Sequence, residues 1–221
     1  MNEFVDMFSN SDPSNVATSV KLLLLLTVLS LAPGILILMT SFTRIIIVLS
    51  FVRTSLGTQQ MPPNQVLIGL ALFLTFFIMA PTFSQVYDEA LEPLFAEEIT
   101  LDEAYDNAST PIKDFMASHT RQKDLALFLN YSQIEQPESI QDIPLTTLVP
   151  AFAISELKTA FQMGFMIFIP FLVIDMAVAS ILMSMGMMML PPVMISLPFK
   201  ILLFVLVDGW YLITHSLLDG F

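Results

Sequence analysis

Residues 159–218 read TAFQMGFMIFIPFLVIDMAVASILMSMGMMMLPPVMISLPFKILLFVLVDGWYLITHSLL. Across this stretch the only formal charges are Asp175, Lys200 and Asp208. A run this apolar and this long is read as two helices rather than one. The break falls at Gly186 and Pro191-Pro192, because consecutive prolines cannot continue a helix. The result is an apolar helical hairpin that starts near residue 151.

The same pattern stands at the other end of the chain. Leu22 to Thr43 carries no charge over 22 residues, Arg44 follows, and Ile45 to Val52 is again uncharged. Val66 to Phe83 is a further uncharged run of 18 residues. Each long run is of a length that crosses a hydrocarbon core. Pro33-Gly34 is expected to bend or break the first helix.

Ser84 to Thr147 differs. It holds 13 acidic and 3 basic residues and so supplies −10 of the chain's net −12. Thr100-Leu101-Asp102-Glu103 is a capping-box pattern. Thr110-Pro111 offers an N-cap with proline at N1. Ile112, Phe115, Met116 and His119 recur at helical spacing. Two or three short amphipathic helices are expected, closed by a loop between Pro137 and Pro144. The fold class is therefore all-α, an integral membrane protein of two long apolar hairpins with a small acidic helical insert. The divisions are 1–83, 84–147 and 148–221.

Composition over the 221 residues agrees. Apolar residues make up 55% and charged residues 13%, about half the share of an ordinary soluble domain. Mean hydropathy is +0.76. The acidic balance argues against nucleic acid as a partner. With no cysteine, thiol catalysis and Cys-ligated metals are excluded. His119 and His215 lie in segments of different character, which argues against a histidine metal site. No G-x-S-x-G, H-E-x-x-H or phosphate-binding glycine loop is present, so no catalytic residue and no cofactor is assigned.

The first 20 residues carry Glu3, Asp6 and Asp12 and no base. Leu31-Ala32-Pro33-Gly34 is a poor cleavage site. Both features argue against a cleaved signal peptide. Arg53 and Lys200 lie at the two hairpin tips, which the positive-inside rule places in the cytoplasm. Both termini and the acidic insert are then outside.

Ionisable groups within apolar helices cost at least about 2.5–3.5 kcal/mol each at mid-bilayer. Arg44, Asp175, Lys200 and Asp208 stand in such places, and Glu156 and Lys158 at the entrance to the third helix. If the second hairpin turns near residues 188–189, position 175 faces about position 202. Lys200 is then about two residues away, or ~3 Å of axial rise. Asp175 and Lys200 are expected to pair. The position opposite Arg44 is near Phe76, with no acid beside it. Arg44 is expected to seek Asp208, Glu156, another subunit or water. Such charges serve as structural pairs, as a proton or ion relay, or as contacts between subunits.

Nine of the 15 methionines fall between Met163 and Met194. Met187, Met188 and Met189 cannot all face one side of a helix and read as a loop. They are either ordinary apolar residues at a tight turn or a deformable constriction. Pro170 suggests a kink in the third helix, and Ser180 and Ser184 form a small-xxx-small spacing.

Four strings carry a resemblance. They are Met39–Ser50, Pro62–Met79, Ser155-Glu156-Leu157-Lys158-Thr159-Ala160-Phe161-Gln162 on through Phe171, and Met187 to Trp210. Together they resemble the FliP family of flagellar biosynthetic proteins, whose counterparts occur in virulence type III secretion. The acidic insert is more like the flagellar branch. The resemblance implies a core pore-forming subunit of the type III export gate, about five copies of which assemble with FliQ and FliR. Other export-apparatus proteins, exported flagellar polypeptides and membrane lipid are the further partners implied. The location implied is the bacterial cell membrane at the flagellar basal body. The family's methionine gasket falls on Met187, Met188 and Met189, and its inter-subunit charges on Glu156 and Lys158. In assembled members the hairpins are largely raised above the lipid plane. A small multi-helix ion or solute carrier is the alternative from residues alone.

Overall fold

The computed structural model describes residues 22, 23, 26, 27, 30, 33–35, 37–58, 60–132, 137, 139–187 and 189–221. No strand occurs among them. The chain divides into Met1–Ile37 and Leu38–Phe221. In the first unit the Thr27 hydroxyl donates to the Leu23 carbonyl and the Ser30 hydroxyl to Thr27, both at 2.8 Å. Helix carbonyls satisfy hydroxyls in this way where water is scarce. Pro33 and Gly34 are helical, whereas Thr40 and Ser41 belong to no helix, Ser41 being the N-cap of the next one. Of the residues behind the signal-peptide expectation, residues 1–20, Leu31 and Ala32 lie outside the described residues.

The second unit begins with α1 (Phe42–Ser55) and α2 (Asn64–Val86). The latter continues through a π turn at Tyr87–Leu91 and a last turn at Glu92–Phe95. On α1, Arg44, Ile45, Val48, Leu49 and Val52 are all buried. Their i, i+3, i+4 spacing defines one face. Leu67, Ala71 and Leu74 give α2 a narrower buried stripe, while Phe73, Phe76 and Phe77 face outward.

The insert contains α3 (Leu101–His119), α4 (Gln122–Tyr131) and a 3₁₀ turn at Ile140–Asp142. The capping box is formed: Glu103 N–H donates to Thr100 Oγ1 at 3.3 Å, and Thr100 N–H to Glu103 Oε2 at 2.8 Å. Thr110-Pro111 does not start a helix. α3 passes through Pro111, which is buried, and the Thr110 hydroxyl donates back to the Asp106 carbonyl. Burial of the ring offsets the backbone hydrogen bond that proline forfeits. Met116 packs with Ile143, Leu148 and Phe152 to make the insert's core, and Leu148 and Phe152 belong to the next helix. The insert is therefore anchored on the apolar part.

That next helix, α5 (Leu145–Ser184), is 40 residues long and is not broken at Pro150 or Pro170. At 1.5 Å per residue it is about 60 Å long, twice a hydrocarbon core. It starts well before the expected entrance, so Glu156 lies inside it, fully buried. Ser180 and Ser184 are exposed and bond carbonyls of their own helix. The fourth long helix of the sequence reading is two helices, α6 (Pro192–Leu206) and α7 (Gly209–Leu218), bent by 62°. The break is at Asp208, left-handed at φ 52°. A Cβ on Gly209 would meet the Phe204 ring at 2.4 Å, so only glycine lets the chain turn there. Among the described residues two helices, Asn64–Phe95 and Leu145–Ser184, are each long and apolar enough to cross a membrane, and up to four spans result if each bent pair counts as one.

Candidate functional site

Three features gather the residues singled out above. The first joins α1 to α5. Both carboxylate oxygens of Glu156 accept from Arg44, from Nε at 2.8 Å and from Nη2. Arg44 Nη1 donates to the Gly220 carbonyl at 2.6 Å, and its guanidinium carbon stands 3.8 Å from the Phe221 ring centroid. Phe221 in turn stacks on Phe115 of the insert, with centroids 6.1 Å apart. The fork of Arg44 is matched to one carboxylate, one carbonyl and one ring face.

The second feature joins α1, α5 and α6. Lys200 Nζ donates to Asp175 Oδ2 at 2.6 Å and to the Ser55 carbonyl at 3.2 Å. The Ser196 hydroxyl donates to Asp175 Oδ1 at 2.5 Å. Lys200 is buried and Ser196 is fully so. Ser196 stands four residues before Lys200, on the same helix face, and that spacing is a signal the sequence reading passed over.

The third feature is the tip of the second hairpin. Met187 N–H donates to the Leu182 carbonyl at 3.0 Å and Gly186 N–H to Met183 at 3.1 Å. With Gly186 at φ 73°, this is the Schellman ending of α5. Pro191 then caps α6 and Pro192 opens it. Between these two signals the methionines are thrown outward: Met189 is 98% exposed and Met187 43%. Met188 lies outside the described residues. Among the described residues no three His, Asp or Glu side chains converge as a metal site.

A model of the FliP family matches residues 25–217, nearly the whole chain and every feature above except Gly220 and Phe221. The chain belongs to the FliP family. It is 78% identical over 221 residues to the flagellar biosynthetic protein FliP of Bacillus subtilis, covering all of both chains. It is 58% identical to FliP of Caulobacter vibrioides over 91% of this chain and 76% of that one. To FliP of Aquifex aeolicus it is 51% identical, over 94% and 87%.

The remaining charges of this FliP-family chain are placed differently. Asp208 is exposed at the α6–α7 break, and its side chain makes no cap. Lys158 is exposed on α5 beside Arg121 and Lys123. Beneath them Asp124 Oδ2 accepts from the Ser155 hydroxyl at 2.7 Å and pairs with Arg121. Sequence reading did not find Asp124 or Ser155, since 31 residues separate them. Burial works to raise the Asp124 carboxyl. The hydrogen bonds from Ser155 and Arg121, with the charges of Arg121 and Lys123, outweigh it and hold the group below its ordinary 3.8.

A carboxyl depressed in the folded state stabilises above its unfolded pKa, and that stability is lost as pH falls through the folded value. The stability gap between the parent chain and Asp124→Asn is therefore expected to be constant above about pH 5 and to shrink below about pH 4. Thermal melts of both in detergent across pH 3–7, estimated to span the transition, would measure it. A gap that widened in acid would contradict the assignment.

Proposed function

We propose that this chain is a core pore-forming subunit of the flagellar type III protein export gate, in the bacterial cell membrane at the flagellar basal body. It assembles with FliQ and FliR, in about five copies of itself, so that unfolded flagellar proteins cross the inner membrane. The acidic insert faces outward. The observation that carries the reading is the hairpin tip, where exposed methionines stand on a turn fixed by Gly186 and Pro191-Pro192. Repeated around an axis, such tips make an apolar ring that excludes water and ions. Methionine is unbranched and polarizable and re-packs around a passing chain of any sequence.

The buried charges fit this reading better than that of a carrier. A relay needs a carboxylate free to take up and release its cargo. Glu156 and Asp175 are instead each clasped by a cation of the same chain. They fix the α1–α5–α6 frame on which the loop stands.

Replacing Met187, Met188 and Met189 together with glycine is expected to leave co-purification with FliQ and FliR intact and to make cells leak ions. A triple variant that stays ion-tight removes the gasket role. A parent chain that remains monomeric in native mass spectra when co-expressed with both partners removes the gate itself.

A further inference from the structure

Thioether sulfur is readily oxidised, and this chain has no cysteine thiol to be oxidised ahead of it. Six methionines fall within the 12 residues from Met183 to Met194. Of these, Met183, Met185, Met187, Met189 and Met194 are among the described residues, and all five are exposed. Met79 and Met116 are at most 1% exposed, and Met116 is closed in by Ile143, Leu148 and Phe152. Met61, Met166 and Met176 are exposed too, but they are scattered, one in the α1–α2 turn and two along α5. A dilute oxidant therefore meets the hairpin tip as its densest target and leaves the core alone.

The shape of the tip does not depend on those side chains. Its backbone bonds run from Met185 N–H to the Ile181 carbonyl at 3.1 Å and from Met187 N–H to the Leu182 carbonyl at 3.0 Å. Gly186 and Pro191 fix the rest of the turn. Oxidation of the five exposed thioethers thus alters the surface of the tip and not its fold. What it alters is polarity. A sulfoxide oxygen is a polar acceptor that holds water, whereas the thioether is apolar. A constriction that holds ions back by staying dry fails once its lining is wetted.

We propose that these methionines are an oxidation site, through which hydrogen peroxide opens the closed gate to ions. The proposal rests on the gasket reading given above. A thioether lone pair attacks one peroxide oxygen, an S–O bond forms and the O–O bond breaks. Sulfur gives up two electrons, and the departing hydroxide takes the proton of the transferred oxygen and leaves as water. Hydrogen peroxide is little larger than water, so it reaches the tip along the channel even where neighbouring copies cover the sides of the helices.

The test uses the full chain assembled with FliQ and FliR in liposomes, treated with hydrogen peroxide and mapped by peptide mass. The peptide of the tip is expected to gain oxygen, and those that hold Met79 and Met116 are not. Ion efflux is expected to rise about tenfold, the change given by a barrier about 1.4 kcal/mol lower. In Met185→Leu/Met187→Leu/Met189→Leu the efflux, whatever its starting value, is expected to respond far less to peroxide, since leucine has no sulfur to oxidise. If the tip gains oxygen and the liposomes stay ion-tight, the proposal falls while the gate reading stands. If the tip is oxidised in the free chain in detergent but not in the complex, the assembly encloses it and the proposal falls likewise. A leucine variant that responds as strongly as the parent places the leak elsewhere and overturns it too. Untreated liposomes that already leak remove the gasket reading itself, and this proposal with it.

Discussion

Glu156→Leu is expected to destabilise the detergent-solubilised chain by about 3–5 kcal/mol, the cost of leaving a buried charge without its partner. Glu156 is fully buried and Arg44 4% exposed, so water cannot take the place of the missing carboxylate. The Gly220 carbonyl and the Phe221 ring remain around the guanidinium, but neither carries a negative charge. Removing both charges is a different experiment. Arg44→Met/Glu156→Leu is expected to recover most of the loss, because an ion pair replaced by apolar groups of similar size costs little. Thermal or denaturant unfolding of the parent, the two single variants and the double variant completes the cycle. A single-variant loss below about 1 kcal/mol is what an exposed pair gives, and it would mean that α1 does not bury Arg44 against α5.

Gly164→Val is expected to cost about 3 kcal/mol or more, at the upper end for overpacking a filled contact. Gly164 lies where α5 meets α1. A Cβ there would stand 2.5 Å from the Phe51 ring and 3.0 Å from the Phe51 Cβ. Swinging the ring aside does not clear that Cβ, and the ring also makes an edge contact with Phe161 at 5.4 Å. The helices must separate instead. In lipid or detergent the apolar drive between helices is weak, so close approach through small residues carries much of the association. Phe51→Ala is expected to restore a good part of the lost stability to the Gly164→Val chain. If Gly164→Val melts like the parent, α1 and α5 are not in this contact.

What the sequence made legible follows the range over which each signal acts. The Asp175–Lys200 pair is 25 residues apart within one hairpin, and counting rise from the Gly186–Pro192 turn is enough to place one opposite the other. The capping box at Thr100 spans four residues and needs nothing beyond them. Arg44 and Glu156 are different. No local rule selects one acid among several candidates across 112 residues, and packing of α1 on α5 makes the choice. Thr110-Pro111 failed for the opposite reason. A good local start signal was overridden because burying Pro111 within a longer helix was worth more than a new N-terminus. The break at Asp208-Gly209 carried a local signal, an aspartate that tolerates left-handed backbone followed by glycine, but the uninterrupted apolar run on both sides of it reads as one helix.

The separation of Arg44 from Glu156 also has a meaning in time. Ribosomes add about 5–20 residues per second, so Arg44 is made roughly 6–22 s before Glu156 exists. For that interval α1 carries a cation whose matched anion, Glu156, is still to be translated. The first hairpin cannot settle in its final place as it emerges, and membrane insertion and final packing are separate events divided by the synthesis of the whole insert. Whatever receives the nascent helix must tolerate a bare guanidinium until the fifth helix arrives to claim it.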